Sequence, residues 1–294
     1  MLQLRLLDIR SDRNILFSFL IYNLVSLPDF SLKMKVQLVV LLLFLTLSLA
    51  FEYKLEIRTG WKNNAGTDGD VFAKIEGKKG SFVNFKKIDN PHRNDFLKGQ
   101  IDTFTAHSME DIGKIKCLIL STNSRDKWML DKAVAWRSGS TEKSYFYNQG
   151  TFLSSEPREG VSQLKLCEQG TQTYYITTTT STDRDGGSDN IYPRLRISGK
   201  IGKKNPTAMT GYLFDPRRNN FEKGRQDTFV FQGLTDVGRI KCIEITADGD
   251  DKWLFEMIEV HSQDRRHPAY FRNEQEVWLS TDPREGVSTL KLCS

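Results

Sequence analysis

The chain has 294 residues, of which 38% are hydrophobic, 27% are charged and 11% are aromatic. This composition is typical of a globular protein with one large domain or two ordinary ones, and it excludes a disordered chain. The 42 Lys and Arg residues exceed the 37 Asp and Glu residues by only five and form no basic run, so no nucleic-acid partner is predicted. Four cysteines are too few for a disulfide-dense miniprotein.

Residues 1–50 are predicted to be a leader that lies outside the fold. The apolar segment 36–50 follows a basic residue and ends in a small-x-small triplet, which are the parts of a secretory signal peptide. Its fifteen residues would rise about 22 Å as a helix, less than the roughly 30 Å of a membrane core. We therefore expect the signal peptide to begin at Met34 and to be cleaved after Ala50, which predicts a secreted, extracellular protein. Residues 1–33 are then an upstream extension, and membrane anchoring through the N-terminal apolar segment is the alternative.

The rest of the chain is a duplicated domain. Over residues 96–130, 14 of 35 positions are identical to those 125 positions further along. The sequence PREGVSQLKLC at 157–167 returns as PREGVSTLKLC at 283–293. Internal similarity of this length indicates two domains, which we place at 51–168 and 172–294.

Each copy has the pattern of β-strands. Tyr53–Thr59 alternates apolar and polar residues with period two, and a polar loop rich in Asn and Gly follows it. Segments 71–75, 114–120 and 160–167 are similar, whereas no stretch of twelve residues has helical periodicity. We therefore predict an all-β protein of two antiparallel β-sandwich domains in tandem.

Three ordered blocks in each copy resemble the PLAT domain, also called the LH2 or lipoxygenase homology domain. They are a Thr-Gly and AGTD-type turn before an aromatic strand, an N-x-F-E-x-G-x-x-D-x-F block, and an L-G-x-I strand followed by a Trp. In the first copy they comprise Thr59-Gly60, Ala65–Asp68 and Val71-Phe72, then Asn94–Phe104, then Gly113–Trp128. In the second copy the AGTD turn is replaced by Gly186–Asp189, a longer segment lies around 200–212, and the other blocks are Asn219–Phe229 and Gly238–Trp253.

The resemblance implies two four-stranded antiparallel sheets in each domain and a non-catalytic targeting role. Lipoxygenases, pancreatic-type lipases and polycystin-like membrane proteins carry such domains, which contact lipid surfaces or protein partners. The sequence contains no nucleophile elbow, no H-E-x-x-H motif and no P-loop, so no catalytic residue and no enzyme activity are predicted. We expect a protein that binds a lipid or membrane surface; an extracellular protein–protein interaction module without lipid binding is the alternative.

The resemblance also implies calcium sites, because family members that bind Ca²⁺ take ligands from the AGTD turn, the N-x-F-E block and the acidic residue before the Trp. The candidate ligands in the first copy are Asp68, Asn94, Asp95 and Asp126. Those in the second copy are Asp189, Asn219, Glu222 and Asp251, with Asp183, Asp185 and Asp250 as additional candidates. The second copy is the better predicted site because it keeps Glu222, where the first copy has Leu97. Ordinary turn chemistry of Asp and Asn is the alternative.

Trp61 and Lys62, in the polar loop WKNNAGTD, are the candidate membrane contact. A Trp at a loop tip can place its ring among lipid headgroups, with the Lys near anionic lipid. A ring that folds back over its own loop is the alternative. Trp128 and Trp253 recur in both copies and are predicted to lie in the cores, and Asp102 and Asp227 are predicted to be structural.

The four cysteines recur as one pair per copy. In an oxidising compartment, the repeat favours pairing within each domain, Cys117 with Cys167 and Cys242 with Cys293. Four cysteines allow three connectivities, and four buried free thiols are a further alternative.

Overall fold

The structure is a computed structural model that describes residues 37, 50–91, 93–183, 185–215, 217–264 and 268–294. Apart from Gln37 and Ala50, the predicted leader lies outside the described residues. Contacts divide the chain into two units, Met1–Phe51 and Glu52–Ser294. Within the described ranges, no helix has the length and apolar character needed to cross a membrane.

The first half forms eight strands in two sheets. The strands are β1 (Phe51–Thr59), β2 (Val71–Gly77), β3 (Phe82–Lys87), β4 (Ile101–Ser108), β5 (Ile115–Thr122), β6 (Leu130–Arg137), β7 (Lys143–Tyr147) and β8 (Gln163–Cys167). One sheet has the order β4-β1-β6-β7 and the other has the order β3-β2-β5-β8. The pairings given for both sheets are antiparallel, as the period-two pattern predicts.

The second half repeats this arrangement strand by strand. Its strands are β9 (Gln172–Thr180), β10 (Arg194–Lys200), β11 (Thr207–Tyr212), β12 (Gln226–Leu234), β13 (Arg239–Thr246), β14 (Phe255–Ser262), β15 (Ala269–Arg272) and β16 (Thr289–Cys293). The sheet orders β12-β9-β14-β15 and β11-β10-β13-β16 match those of the first half when eight is subtracted from each number. The segment 200–212, which is longer in sequence than its counterpart, thus supplies β11, the equivalent of β3. The predicted all-β class, with two four-stranded sheets in each half, is confirmed.

The alternating residues place one side of each strand in a core. In β1, Tyr53, Leu55 and Ile57 are fully buried, while the residues between them are partly exposed. The predicted core tryptophans are confirmed, since Trp128 and Trp253 are both fully buried. Each indole Nε1 donates a 3.0 Å hydrogen bond to a Thr hydroxyl on the first strand of its sandwich. A buried indole N–H therefore has a partner in both cores.

Both predicted disulfides are confirmed. Cys117 pairs with Cys167 and Cys242 pairs with Cys293, with sequence separations of 50 and 51 residues. In each sandwich the two cysteines lie directly opposite one another on paired strands. Each disulfide therefore ties the last strand, which lies at an edge of its sheet, to the neighbouring strand.

The two sandwiches contact each other through a small apolar cluster. Its buried members are Ala65 and Met129 from the first half and Tyr192 and Tyr212 from the second, with Trp61, Phe152 and Phe214 packed against them. Elsewhere in this contact, the Tyr147 hydroxyl donates a 3.0 Å hydrogen bond to the Gln232 carbonyl.

Candidate functional site

In each sandwich, three loops that follow strands meet at one end, which we call the loop end. In the first sandwich it comprises residues 60–70, 93–100 and 123–128. The Thr67 hydroxyl and the Asp68 N–H donate hydrogen bonds of 2.8 and 3.0 Å to the Asp126 carboxylate. The Thr67 N–H donates to the Phe96 carbonyl at 3.3 Å, which joins the third loop to the other two.

The loop end of the second sandwich comprises residues 181–193, 218–225 and 247–253, and it has the same bonds. The Asp251 carboxylate accepts from the Ser188 hydroxyl at 2.8 Å and from the Asp189 N–H at 3.1 Å. The Ser188 N–H donates to the Phe221 carbonyl at 3.1 Å. The motifs that resemble the PLAT pattern therefore build the same loop junction twice.

A buried carboxylate shapes the middle loop of each junction. Phe96 and Phe221 both have φ of 61°, in the left-handed region that bulky residues rarely adopt. Their N–H groups donate to the carboxylates of Asp102 and Asp227, at 2.9 and 2.8 Å. These two acidic residues are thus structural, as predicted. The residue after each Phe, Leu97 or Glu222, lies at the tip of this turn.

The second loop end brings three of the predicted calcium ligands into contact. The Asn219 amide donates to the Glu222 carboxylate, and its distance to Asp189 Oδ1 is 3.4 Å. Asp251, the fourth predicted ligand, has both carboxylate oxygens occupied by hydrogen bonds from residues 188, 189 and 252. Two carboxylates therefore meet beside the Asn219 amide, which presents its NH₂ group to them. Carboxylate oxygens are ligands of the kind that Ca²⁺ prefers.

The three additional candidates lie around this group. Asp183 and Asp185 are exposed on the loop 181–189, and the Asp183 N–H donates a 3.1 Å hydrogen bond to the Ser181 hydroxyl. Asp250 accepts hydrogen bonds from Asn190 in its own sandwich and from Asn63 in the other, at 3.3 and 2.9 Å. Asp250 thus contributes to the contact between the sandwiches.

The first loop end has a poorer set of oxygen donors. Asp95 is buried and accepts both the N–H and the side-chain amide of Asn90, at 2.5 and 2.8 Å. Asp126 holds the AGTD turn, as described above. Asp68 and Asn94 remain, and the tip residue is Leu97. Among the described residues of the whole chain, no three His, Cys, Asp or Glu side chains are grouped so that they could hold a metal ion.

Trp61 lies in the contact between the sandwiches. Its ring centroid is 4.4 Å from that of Phe214, and the ring also lies over the backbone of Gly99. Its indole Nε1 is buried. This placement differs from the exposed loop tip on which the predicted membrane contact rests, and that role stays a prediction.

Lys62 also reaches the second sandwich. Its ammonium is 2.5 Å from the Asp248 carboxylate, which in addition accepts a 2.9 Å hydrogen bond from the Tyr212 hydroxyl. Burial, together with the nearby negative charge of Asp248, raises the pKa of Tyr212, so this hydroxyl stays protonated and remains a donor. Lys62 and Tyr212 thus share one carboxylate across the contact.

Sequence reasoning missed Leu97 as a candidate site residue. Its side chain is 46% exposed, on a turn that the hydrogen bond from the Phe96 N–H to Asp102 holds, and Lys98 follows it. The available signal was the replacement of the usual acidic residue by an apolar one in the N-x-F-E block. Ile101, which begins β4, is 47% exposed nearby in sequence.

The fold and the loop junction define a protein built from two antiparallel β-sandwiches that share one strand order. Residues 53–155 match the model of the PLAT/LH2 domain family. The match lies within the first sandwich, and the second sandwich repeats its strand order and its loop junction.

Two known proteins are similar in sequence to most of this chain. The chain is 28% identical over 239 residues to lipoxygenase homology domain-containing protein 1 of Mus musculus, covering 78% of this chain and 11% of that protein. It is 22% identical over 245 residues to the Homo sapiens protein of that name, covering 80% and 12% respectively. The chain thus spans about a tenth of the length of these relatives.

Solved structures give partial matches. Coral 8R-lipoxygenase, described as activated by calcium via a C2-like domain, matches with 22% identity and a TM-score of 0.34. That match covers 41% of this chain and 17% of the lipoxygenase. A calcium-dependent 11R-lipoxygenase matches with 26% identity and a TM-score of 0.31, covering 41% and 18%.

Proposed function

We propose that this chain is a secreted, non-catalytic protein that binds lipid surfaces through the loop end of its first sandwich. The observation that carries the proposal is the exposed Leu97 on a turn made rigid by the Phe96–Asp102 hydrogen bond. An apolar side chain at a fixed tip can enter the headgroup region without ordering a loop first. Lys98 beside it is a cation that anionic lipid attracts, by about 1 kcal/mol per basic residue at a membrane surface.

Calcium assistance belongs to the second sandwich in this proposal. Asp189, Asn219 and Glu222 would hold the ion, with backbone carbonyls and water completing the six to eight oxygens it takes. A bound Ca²⁺ would neutralise the two carboxylates and supply positive charge for anionic headgroups. The side chains of this group already touch, which supports the assignment.

Sedimentation with vesicles of phosphatidylcholine and phosphatidylserine tests the lipid proposal. We expect the full chain to sediment with the vesicles, and Leu97→Ser to lower the bound fraction severalfold. Val230→Ser is the matched control, since Val230 is an apolar side chain that is 50% exposed on β12. Equal binding by the two variants would contradict a role for the loop tip, and no binding by the unaltered chain would favour the protein-interaction alternative.

Calcium and secretion have separate tests. Calorimetric titration should show Ca²⁺ binding that Glu222→Gln weakens and Asp68→Asn leaves unchanged; no heat at millimolar Ca²⁺ would end the calcium proposal. N-terminal sequencing of secreted material should find Phe51 first, and a terminus upstream of Met34 would contradict the predicted signal peptide.

A further inference from the structure

The outer surface of the disulfide-bearing sheet carries cations at the same places in both sandwiches. We call this surface the disulfide face; it belongs to β3-β2-β5-β8 in the first half and to β11-β10-β13-β16 in the second. In the first, the cross-strand row reads Lys74, Ile119, Lys165. In the second, the corresponding row reads Arg196, Glu244, Lys291. The outer positions of the row are therefore cationic in both copies.

The disulfide lies in the next row on the same surface. That row reads Glu76, Cys117, Cys167 in the first sandwich and Ser198, Cys242, Cys293 in the second. Residues two apart on a strand point to the same side, so cations and disulfide share one face. Because the disulfide ties the edge strand in place, it holds the two outer cations of the row two strand spacings apart, about 9–10 Å.

A third cation precedes the first cysteine of each pair, Lys116 in one copy and Lys241 in the other. Each of these cations is the extra residue of a β-bulge, between the pairs Gly77–Ile115 and Glu76–Cys117 in one copy and Gly199–Ile240 and Ser198–Cys242 in the other, so strict alternation does not apply to it. Lys116 is exposed, and the hydrogen bond from Lys165, followed by the charges of Lys116 and Lys74, lowers the pKa of Glu76. The Lys165 ammonium is 2.6 Å from that carboxylate.

One carboxylate accompanies the three cations in each copy, but at different places. Glu76 in the first copy corresponds to Ser198, and Glu244 in the second corresponds to Ile119. Glu244 is 3.4 Å from Arg196, as Glu76 is close to Lys165. The acidic residue has thus changed strand while the cationic positions stay the same. Both faces keep an excess of positive charge.

Two of the cations are well exposed, and a third lies against an exposed aromatic ring. Lys165 and Arg196 have side chains 52% and 48% exposed. The Lys74 ammonium lies 3.6 Å from the centroid of the Phe82 ring, which is an exposed side chain on β3. This cation–π contact holds the Lys74 ammonium at the surface, beside the ring. The first face therefore presents its cations together with one exposed aromatic ring.

We propose that the disulfide faces bind a linear sulfated polysaccharide. The observations that carry this are charge complementarity and the repetition of the cationic positions in two copies whose other residues differ. A stiff polyanion can lie across a row of cations on neighbouring strands. Each protein cation that pairs with a sulfate releases a counterion from it, and this release favours binding. A lipid surface is the alternative occupant, since Phe82 is an exposed apolar side chain on the first face, and vesicle binding distinguishes the two.

Heparin binding by the full chain tests the proposal. The face variant Lys74→Gln/Lys116→Gln/Lys165→Gln removes three charges from the first disulfide face. The control Lys54→Gln/Lys127→Gln/Lys143→Gln removes three partly or fully exposed lysines elsewhere in the same sandwich, so the net charge is equal. We expect the face variant to raise the Kd for heparin at least about tenfold and the control to change it by less than about twofold. Only the face variant loses lysines that pair with sulfates.

A second variant removes the corresponding cations of the other half, with Arg196→Gln, Lys241→Gln and Lys291→Gln. Combining these three substitutions with those of the face variant gives a variant with six substitutions. We expect it to lose heparin binding at physiological salt, while its circular dichroism spectrum and its disulfide pairing remain unchanged. Equal loss in the face and control triples would overturn the proposal, since binding would then follow net charge alone. If the face variant kept its heparin binding but lost binding to phosphatidylserine vesicles, the polysaccharide proposal would be overturned in favour of a lipid surface.

Discussion

The buried carboxylate of Asp102 accepts a 2.9 Å hydrogen bond from the N–H of Phe96, a residue whose φ is 61°. The same carboxylate accepts the Gln100 side-chain amide at 2.7 Å and is 3.0 Å from the Arg93 guanidinium. The bonds offset the cost of a bulky residue in the left-handed region, of order 1–3 kcal/mol. They present Leu97 at the loop tip.

Asp102→Ala should therefore destabilise the first sandwich. Loss of a buried charged acceptor leaves the Phe96 N–H unsatisfied, which we expect to lower the free energy of unfolding by about 2–3 kcal/mol. Urea unfolding of the full chain measures the change. The exposed Asp68→Ala in the same loop end is the control and should cost less than about 0.5 kcal/mol; similar losses in both variants would contradict the structural role of Asp102.

Trp61→Ala distinguishes a contact between sandwiches from a membrane contact. The ring packs on Phe214, so truncation should lower the free energy of unfolding by about 2 kcal/mol, less than the 3–5 kcal/mol of a full core aromatic. Thermal unfolding and vesicle sedimentation are measured on the same variant. Unchanged stability together with reduced vesicle binding would assign Trp61 to the membrane instead. Leu97→Ala should instead leave the free energy of unfolding nearly unchanged and reduce vesicle binding.

The disulfides should contribute strongly to stability. Closing a loop of 50 residues restricts the unfolded chain by about 4 kcal/mol in the chain-entropy description. We expect Cys117→Ser/Cys167→Ser to lose stability of this order, measured by denaturant unfolding. The Cys242–Cys293 disulfide closes a loop of nearly the same length, so Cys242→Ser/Cys293→Ser should lose a similar amount of stability. A loss below about 1 kcal/mol in both would show that the edge strands are held by other contacts.

Acid should remove the contribution of Asp111. The Gly113 N–H, with further help from Lys79 and Arg137, lowers the pKa of this carboxyl from its ordinary value of 3.8. A carboxyl whose pKa is lowered by folding stabilises the fold when the pH is above its pKa in the unfolded chain. This stabilisation is lost as the pH falls through its pKa in the folded chain. Asp111→Asn should therefore be less stable than the unaltered chain at pH 7, with the difference shrinking below about pH 4.

Urea unfolding at a series of pH values measures this difference. The exposed Asp264→Asn removes the same charge without these partners and is the control. A difference between Asp111→Asn and the unaltered chain that stays constant down to pH 2 would contradict the assigned role.

Much of the fold was predictable because its signals are local or repeated. The alternation in Tyr53–Thr59 predicted a strand with one buried side, and the duplicated Cys pattern predicted both disulfides. Trp128 and Trp253 were predicted to be core residues because they recur in both copies, and both are fully buried. Repetition works as evidence here because two copies of one fold place equivalent residues in equivalent surroundings.

The candidate site was only partly predictable. The sequence indicated which Asp, Asn and Glu residues occupy the loop ends, but not which of their oxygens were already engaged. Asp95 and Asp251 accept hydrogen bonds from their own loops, while Asn219 touches Glu222. These differences depend on side-chain directions that residue type and spacing leave open.

Strand periodicity and repeated motifs run along the chain, so they were enough to predict the duplication and the sandwich class, and they favoured the observed cysteine pairing. The surroundings of Trp61, whose counterpart in the repeat is Thr182, depend instead on how the two sandwiches pack. Trp61 meets Phe214, and Lys62 meets Asp248, across more than 150 positions of sequence. Such contacts between unlike surfaces of two related domains follow no periodicity, so only packing in three dimensions reveals them.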